Sequence, residues 1–354
     1  MNKESHKQSP LEITAEDIKR CHDVLGMNSW QALAEQHIFI TGGTGFVGKW
    51  LLTTLLDADE ALGLNCKVTL LSRDPLAFQK KWPKIAGRVN WITGDVRSFE
   101  IKQEYVFDII IHAATDVVSQ ASPDDVFSTC IDGTRHILVL AQQCKAKQFL
   151  LVSSGAVYGP LPAGMTHVPE SHLGGPDPLL STSAYGEGKR VSEWLTSRSA
   201  RDGLEVKIAR IFAVVGPLLP MDKHFAIGNF LKAALEKREI VIHGDGTPHR
   251  SYLYAADMAA WIWAILFRGR CGRAYNVGSD ESISIVDLAR RICELLAYSN
   301  KISVTQSPKI KGNESHYVPN IKRAQEELNL PLPMSLNEGI LRTARANSNH
   351  QQLQ

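Results

Sequence analysis

Thr41-Gly42-Gly43-Thr44-Gly45-Phe46-Val47-Gly48 follows a short apolar run, His37-Ile38-Phe39-Ile40, and opens a segment from Lys49 to Leu56 that reads as helix. Gly42, Gly45 and Gly48 therefore fall at a strand-to-helix turn. A side chain there would keep a pyrophosphate from the backbone N–H groups and from the positive end of the helix. The Gly-x-x-Gly-x-x-Gly spacing differs from the commoner Gly-x-Gly-x-x-Gly, so one glycine sits elsewhere in the turn. A bare tight turn is the other reading of such a triplet. The strand before it and the helix after it favour nucleotide binding, with Phe46 and Val47 in the same candidate site.

A second pattern lies downstream. Tyr185-Gly186-Glu187-Gly188-Lys189 spaces a tyrosine and a lysine to share one helical face. A tyrosine that moves protons near neutral pH needs its pKa lowered from about 10, which an adjacent ammonium does electrostatically. The spacing alone is common. It gains force from Ser153-Ser154-Gly155-Ala156-Val157-Tyr158-Gly159, which follows the apolar strand Phe149-Leu150-Leu151-Val152. The C-terminal end of a strand is where an open α/β sheet presents ligand-binding groups.

In this order, the glycine turn, the strand-end serine and the Tyr-x-x-x-Lys pair resemble the short-chain dehydrogenase/reductase superfamily, in its extended, nucleotide-sugar-modifying branch. A further block, Gly244-Asp245-Gly246-Thr247-Pro248-His249-Arg250-Ser251-Tyr252-Leu253-Tyr254-Ala255-Ala256-Asp257, is similar to that branch's substrate-side signature. The resemblance runs from about Gln36 to Ala346. It implies an α/β fold, a doubly wound parallel Rossmann sheet with a smaller, discontinuous C-terminal substrate lobe. It also implies a nicotinamide cofactor, a nucleotide-diphosphate sugar as substrate, and a homodimer.

Composition excludes several other classes. A formal net charge of +2 gives no reason to expect nucleic acid. The six cysteines are scattered without a Cys-x-x-Cys pair, which reads as reduced thiols in a cytoplasmic protein and no metal site. The N-terminus lacks the apolar core of a secretory signal, and the longest apolar stretch, Ala259 to Phe267, is far too short to span a bilayer, so no membrane role is expected.

Along the chain, residues 1–10 read as disordered. Thr14 caps an amphipathic helix, with Asp17 three residues later and Ile18, Cys21 and Leu25 at helical spacing. Ser29 is expected to cap a second short helix carrying Trp30, Leu33 and Ala34. Short apolar strands at Lys67–Leu71, Ile109–Ala114, Phe149–Val152 and Val206–Arg210 alternate with helical stretches, the pattern of a parallel doubly wound sheet. Helices are expected over 224–235, 255–267 and 284–297, with strands at 240–243 and 274–277. The expected division is a helical extension over 1–35 and a cofactor-binding unit over 36–215 with segments of about 251–280. A substrate lobe takes 216–250 and 281–346, and a loose tail 347–354.

The end of the second strand reads Leu71-Ser72-Arg73-Asp74-Pro75. An acid there bonds the adenosine ribose and favours NAD; a base pairs with the extra phosphate of NADP. Ser72 and Arg73 favour NADP over NAD; the alternative has Arg73 solvated and Asp74 on the ribose. By resemblance, Asp95 and Val96 in Gly94-Asp95-Val96 contact the adenine, and Ala113 and Ala114 stay small where backbone and cofactor approach.

The resemblance assigns catalysis to Ser154, Tyr185 and Lys189. Ser154 bonds the substrate oxygen, Tyr185 exchanges the proton while hydride moves, and Lys189 bonds the nicotinamide ribose and lowers the tyrosine pKa. Related 4,6-dehydratases resemble Thr-Asp-Glu where this chain has Ser154-Gly155-Ala156, and sugar-acid decarboxylases carry glutamate at the Ala156 position. Dehydration and decarboxylation are therefore disfavoured. Arg250 resembles the arginine that pairs with the substrate diphosphate; Asn229 and His224 are further candidate contacts. Ala213 stands where an asparagine is usual. The expectation is an NADP-dependent 4-ketoreductase acting on a dTDP-4-keto-6-deoxyhexose, with a 4-epimerase holding NAD tightly as the alternative. A redox-sensing binding protein on the same fold is the distant reading, since such proteins commonly lack the tyrosine or lysine kept here.

Overall fold

The computed structural model describes residues 13–115, 121–200, 203–223, 225–298, 301–307 and 314–351. The lead over 1–10 and His224 lie outside them. The strands are β1 His37–Thr41, β2 Lys67–Ser72, β3 Asn90–Thr93, β4 Ile109–His112, β5 Gln148–Ser154, β6 Glu205–Ile211, β7 Val214–Val215, β8 Ile240–Ile242, β9 His249–Arg250, β10 Leu253–Tyr254, β11 Arg273–Val277, β12 Ile283–Ser284, β13 Ile302–Val304 and β14 His316–Tyr317. The helices are α1 Ala15–Leu25, α2 Phe46–Leu62, α3 Pro75–Lys81, α4 Pro83–Ala86, α5 Pro123–Cys144, α6 Ala184–Ser199, α7 Ala226–Leu235, α8 Ala255–Arg268, α9 Ile285–Leu295, α10 Lys322–Leu328 and α11 Leu336–Gln351.

Seven parallel strands form the central sheet in the order β11-β6-β5-β4-β1-β2-β3. The near-continuous apolar runs follow from burial on both faces. Ile38, Ile40, Ile109, Ile111, Leu150 and Val152 pack with α2 and α8, while Phe39, Ile110, Phe149 and Leu151 pack with α5. Each such side chain taken wholly out of water contributes roughly 1.5–3 kcal/mol. Chain order reverses between β1 and β4, and the crevice at that reversal is where such sheets bind ligands.

The apolar stretch in α8 is explained by its place. Every side chain from Ala255 to Leu266 is buried, between the sheet and the N-terminal extension. α1 forms with the expected capping box, Thr14 with Asp17. It is tied to α8 by charge: Arg20 Nε donates to Asp257 Oδ1 at 2.8 Å, and the Tyr254 hydroxyl donates to Asp17 Oδ1 at 2.6 Å. The Ser29 expectation fails. Met27–Leu33 is a 3₁₀ segment with Ser29 inside it, and the Ser29 hydroxyl donates back to the Leu25 carbonyl. The tail is not loose from Asn347 either; α11 continues to Gln351, with the Asn347 and Ser348 side chains donating to carbonyls one turn back.

Candidate active site

The glycine turn joins β1 to α2 on one wall of a cavity of about 1070 Å³. Gly42 adopts φ +70°, and a Cβ there would lie 2.6 Å from the Ala113 carbonyl group. Only glycine lets β1 turn so close to the end of β4. A Cβ on Gly48 would fall on the Gly42 carbonyl, so that glycine serves the turn's own packing. Gly45 is the N-cap of α2 and supplies no side chain to its first-turn N–H groups. Those donors, with the helix dipole behind them, form an anion cradle of the kind a cofactor pyrophosphate fits.

At the end of β2, Ser72 and Arg73 line the cavity. Asp74 does so too, but its carboxylate is engaged as the N-cap of α3, accepting from Ala77 N at 3.0 Å. Across the cavity Asp95 is held by Arg97, Nε to Oδ1 at 2.8 Å and a second guanidinium nitrogen to Oδ2 at 2.9 Å. Those bonds hold its carboxyl below the ordinary range. Both Asp95 oxygens thus carry a partner, leaving only their remaining lone pairs for a ligand, with Val96 beside it.

β4 stops at His112, two residues short of the expected Ala114, so Ala113 and Ala114 stand just past the strand end as cavity lining. A buried chain of hydrogen bonds fixes them. Ala114 N donates to Thr41 Oγ1 at 3.1 Å, Thr41 Oγ1 lies 2.8 Å from His112 Nδ1, His112 Nε2 lies 3.1 Å from Thr134 Oγ1, and Thr134 donates to the Cys130 carbonyl at 2.6 Å. Because the Thr134 proton is committed to the Cys130 carbonyl, His112 Nε2 donates to Thr134, and a neutral ring leaves Nδ1 to accept from the Thr41 hydroxyl. Burial, with Lys189 nearby, lowers the His112 pKa from 6.5 to about 3. The unfolded chain takes up a proton that the fold refuses, so stability falls as pH drops from about 6.5 towards about 3. Urea unfolding of the wild type and His112→Gln across that window is expected to show a shallower acid slope in the variant; equal slopes would contradict the assignment.

β5 carries Ser154 to the crevice. Its hydroxyl accepts from Ala156 N at 3.1 Å. α6 supplies Tyr185 and Lys189 from consecutive turns, with Lys189 Nζ 6.0 Å from the Tyr185 ring centroid. Lys189 is 4% exposed and donates to the Val152 carbonyl at 2.9 Å. One expectation is corrected here. Burial pushes the Tyr185 hydroxyl up, opposed by its hydrogen bond with Ser154, so the ammonium does not lower it below its ordinary value. Lys189 is itself lowered by burial. Desolvation outweighs proximity, and the phenol keeps its proton near neutral pH.

Beneath the trio lies a buried ion pair. Ser153 donates to Glu193 Oε1 at 2.6 Å; Arg210 grips the same carboxylate, with its closest contact 2.6 Å, and also donates to the Tyr158 hydroxyl at 2.7 Å. Tyr158 in turn donates to Asn276 Oδ1 at 2.8 Å, joining β5, β6 and β11. Arg250 lines the cavity, donates to the His249 carbonyl and lies 5.7 Å from the Tyr317 ring centroid. Among the described residues Arg250 makes no ion pair with a carboxylate. Asn229 does not join the site; it is on the exposed side of α7. Ala213 does line the cavity.

Sequence reasoning passed over Tyr317, Lys49 and Lys81, all of which line the same cavity. Tyr317 also bonds Ser154, and nothing local to His316-Tyr317 signals that it will meet β5. A Cβ on Gly155 would lie 2.7 Å from the Phe212 ring and 2.8 Å from the Tyr317 hydroxyl. Asp74-Pro75, by contrast, is a helix-start signal that the sequence did offer.

Among known proteins, UDP-glucuronic acid decarboxylase 1 of Arabidopsis thaliana is 30% identical over 311 residues, 86% of this chain and 68% of that protein. An epimerase of Methanothermobacter thermautotrophicus superposes with a TM-score of 0.76 at 22% identity, over 92% of this chain and 96% of its own. UDP-glucuronic acid 4-epimerase of Bacillus cereus, solved with UDP-glucuronic acid and NAD, gives 0.74 at 24% identity, over 90% and 100%. These two solved structures share the doubly wound sheet. Residues 38–278, from β1 and the glycine turn through β11, match the NAD dependent epimerase/dehydratase family, and with that match the chain belongs to this family of nicotinamide-dependent enzymes.

Proposed function

We propose that this chain is an NADP-dependent reductase of a nucleotide-linked 4-keto-6-deoxyhexose of the dTDP type. The observation that carries the reading is the trio Ser154, Tyr185 and Lys189 converging where Gly155 and Ala156 add neither acid nor base. Phe212 and Tyr317 fill the space a side chain at 155 would need. Relatives named as decarboxylases weigh towards that chemistry, but by the resemblance they need a glutamate at position 156, where this chain has Ala156. The nicotinamide supplies hydride when bound. Ser154 holds the substrate oxygen, Tyr185 gives its proton to that oxygen as the C4–H bond forms, and solvent restores the phenol proton. A neutral Tyr185, held so by burial, suits the donor role.

Arg250, half-buried and without a carboxylate partner among the described residues, supports binding of the substrate diphosphate. Capping of α3 by Asp74 and the presence of Arg73 support NADP over NAD. We read 216–250 and 281–346 as the substrate lobe and 36–215 with about 251–280 as the cofactor unit. Exposed Val139 on α5 and Trp194 on α6 support a homodimer through those helices, and six free cysteines support a cytoplasmic setting. No described helix is long and apolar enough to cross a membrane. The alternative, a nucleotide-sugar 4-epimerase with tightly held NAD, uses the same trio. The expected result with NADPH and a dTDP-4-keto-6-deoxyhexose is stoichiometric NADPH consumption. Turnover of a UDP-hexose without net consumption would favour the epimerase.

A further inference from the structure

Tyr317 stands in the cavity wall with no role assigned to it. It enters on β14, which pairs in parallel with β9 so that Tyr317 lies opposite Arg250. Its ring packs on Phe212, centroids 4.7 Å apart, and the Arg250 guanidinium lies 5.7 Å from its centroid. Those contacts aim its hydroxyl over Gly155, where a Cβ would meet it at 2.8 Å. A glycine at 155 therefore lets this phenol reach the end of β5. The Ser154 hydroxyl there is bonded by two phenols, Tyr185 from α6 and Tyr317 from β14.

Counting protons and lone pairs orders the three groups. A hydroxyl has one proton to give and two lone pairs with which to accept. The Ser154 oxygen already accepts from Ala156 N at 3.1 Å, so one lone pair remains for a phenol. When Tyr185 and Ser154 both aim their protons at a substrate oxygen, only Tyr317 is left to donate to Ser154. Turnover adds a demand. A net reduction consumes a proton in every cycle and leaves Tyr185 as a phenolate, which burial disfavours. An epimerisation returns that proton to Tyr185 by itself. We infer that Tyr317 refills Tyr185 through Ser154. Once product has left, the Ser154 proton passes to the Tyr185 oxygen as the Tyr317 proton passes to Ser154, so no serine alkoxide forms. The negative charge ends on Tyr317 beside the Arg250 guanidinium, and a proton from water cancels it. The inference rests on the reductase reading proposed above and adds a relay residue to it.

The test compares the full-length wild type with Tyr317→Phe, which removes one oxygen and keeps the ring on Phe212; thermal unfolding checks that the variant is folded. NADPH oxidation by a dTDP-4-keto-6-deoxyhexose is followed by stopped flow through the first turnover and into the steady state. The variant's first turnover, run on the proton Tyr185 already holds, is expected within about threefold of wild type, while its steady-state rate falls about 10- to 100-fold. Imidazolium, added at constant pH and ionic strength as a small proton donor, should restore the steady-state rate and leave the first turnover unchanged. Wild-type steady-state turnover in the variant would overturn the relay and leave Lys189 as the route for the proton. An equal loss in both phases, indifferent to imidazolium, would make Tyr317 a support for Ser154 and would also overturn it. Either result leaves the reductase reading standing. A wild type that oxidises no NADPH with this substrate would overturn both.

Discussion

Replacing Tyr185 with phenylalanine is expected to lower kcat by about 10²- to 10⁴-fold, the usual worth of a positioned proton donor. Cofactor affinity should hardly move, because the glycine turn and the β2 end are untouched. The substitution removes one oxygen and leaves the ring that faces Lys189. The result also tests the direction found for the Tyr185 pKa. A donor kept protonated by burial should support reduction across the neutral range and lose rate only in alkali. If Tyr185→Phe kept more than about a tenth of wild-type kcat, the proton would have to come from elsewhere, and Tyr317, which also bonds Ser154, would be the first candidate.

Arg210→Ala is expected to destabilise the fold by about 3–5 kcal/mol, because it strands the Glu193 carboxylate in a mostly buried site. Burial opposes the charge on Arg210, and the Glu193 contact outweighs it, driving the guanidinium pKa upward. Losing the arginine also releases the Tyr158 hydroxyl and loosens the carboxylate that Ser153 bonds, so Ser154 next door should lose position and kcat should fall with stability. Urea unfolding reads the first effect. Removing both charges in Arg210→Met/Glu193→Leu should recover part of the loss, since an apolar pair of similar volume leaves no charge unpaired. A single variant within about 1 kcal/mol of wild type would mean that the pair is solvated more than its burial indicates.

What could be read in the sequence follows from range. The glycine turn, the buried strands and the Tyr185–Lys189 pairing depend on neighbours a few residues apart, through the strand period and the helical turn. The capping box of Thr14 with Asp17 was legible for the same reason. The places of Tyr317, Lys49 and Lys81 in the cavity wall were not, because distant segments create them. The Tyr185 pKa direction was misjudged for a related cause: spacing places a lysine near the phenol, but burial, which dominates, is a property of the assembled fold. Asn229 fails as a site residue because one helical turn in either direction decides whether a side chain faces the cavity or solvent. Ser29 was misplaced because its hydroxyl found a carbonyl behind it rather than an N–H ahead.

The most direct test of the central claim follows the hydride itself. The protein would be incubated with NADPH deuterated on C4 of the nicotinamide and a dTDP-4-keto-6-deoxyhexose, and the product examined by mass spectrometry and NMR. The account predicts one deuterium per product molecule, on sugar C4, with one NADP⁺ formed for each. Recovery of the keto sugar unlabelled, from a protein that releases about one NAD per chain on denaturation, would contradict it and make the epimerase the better description.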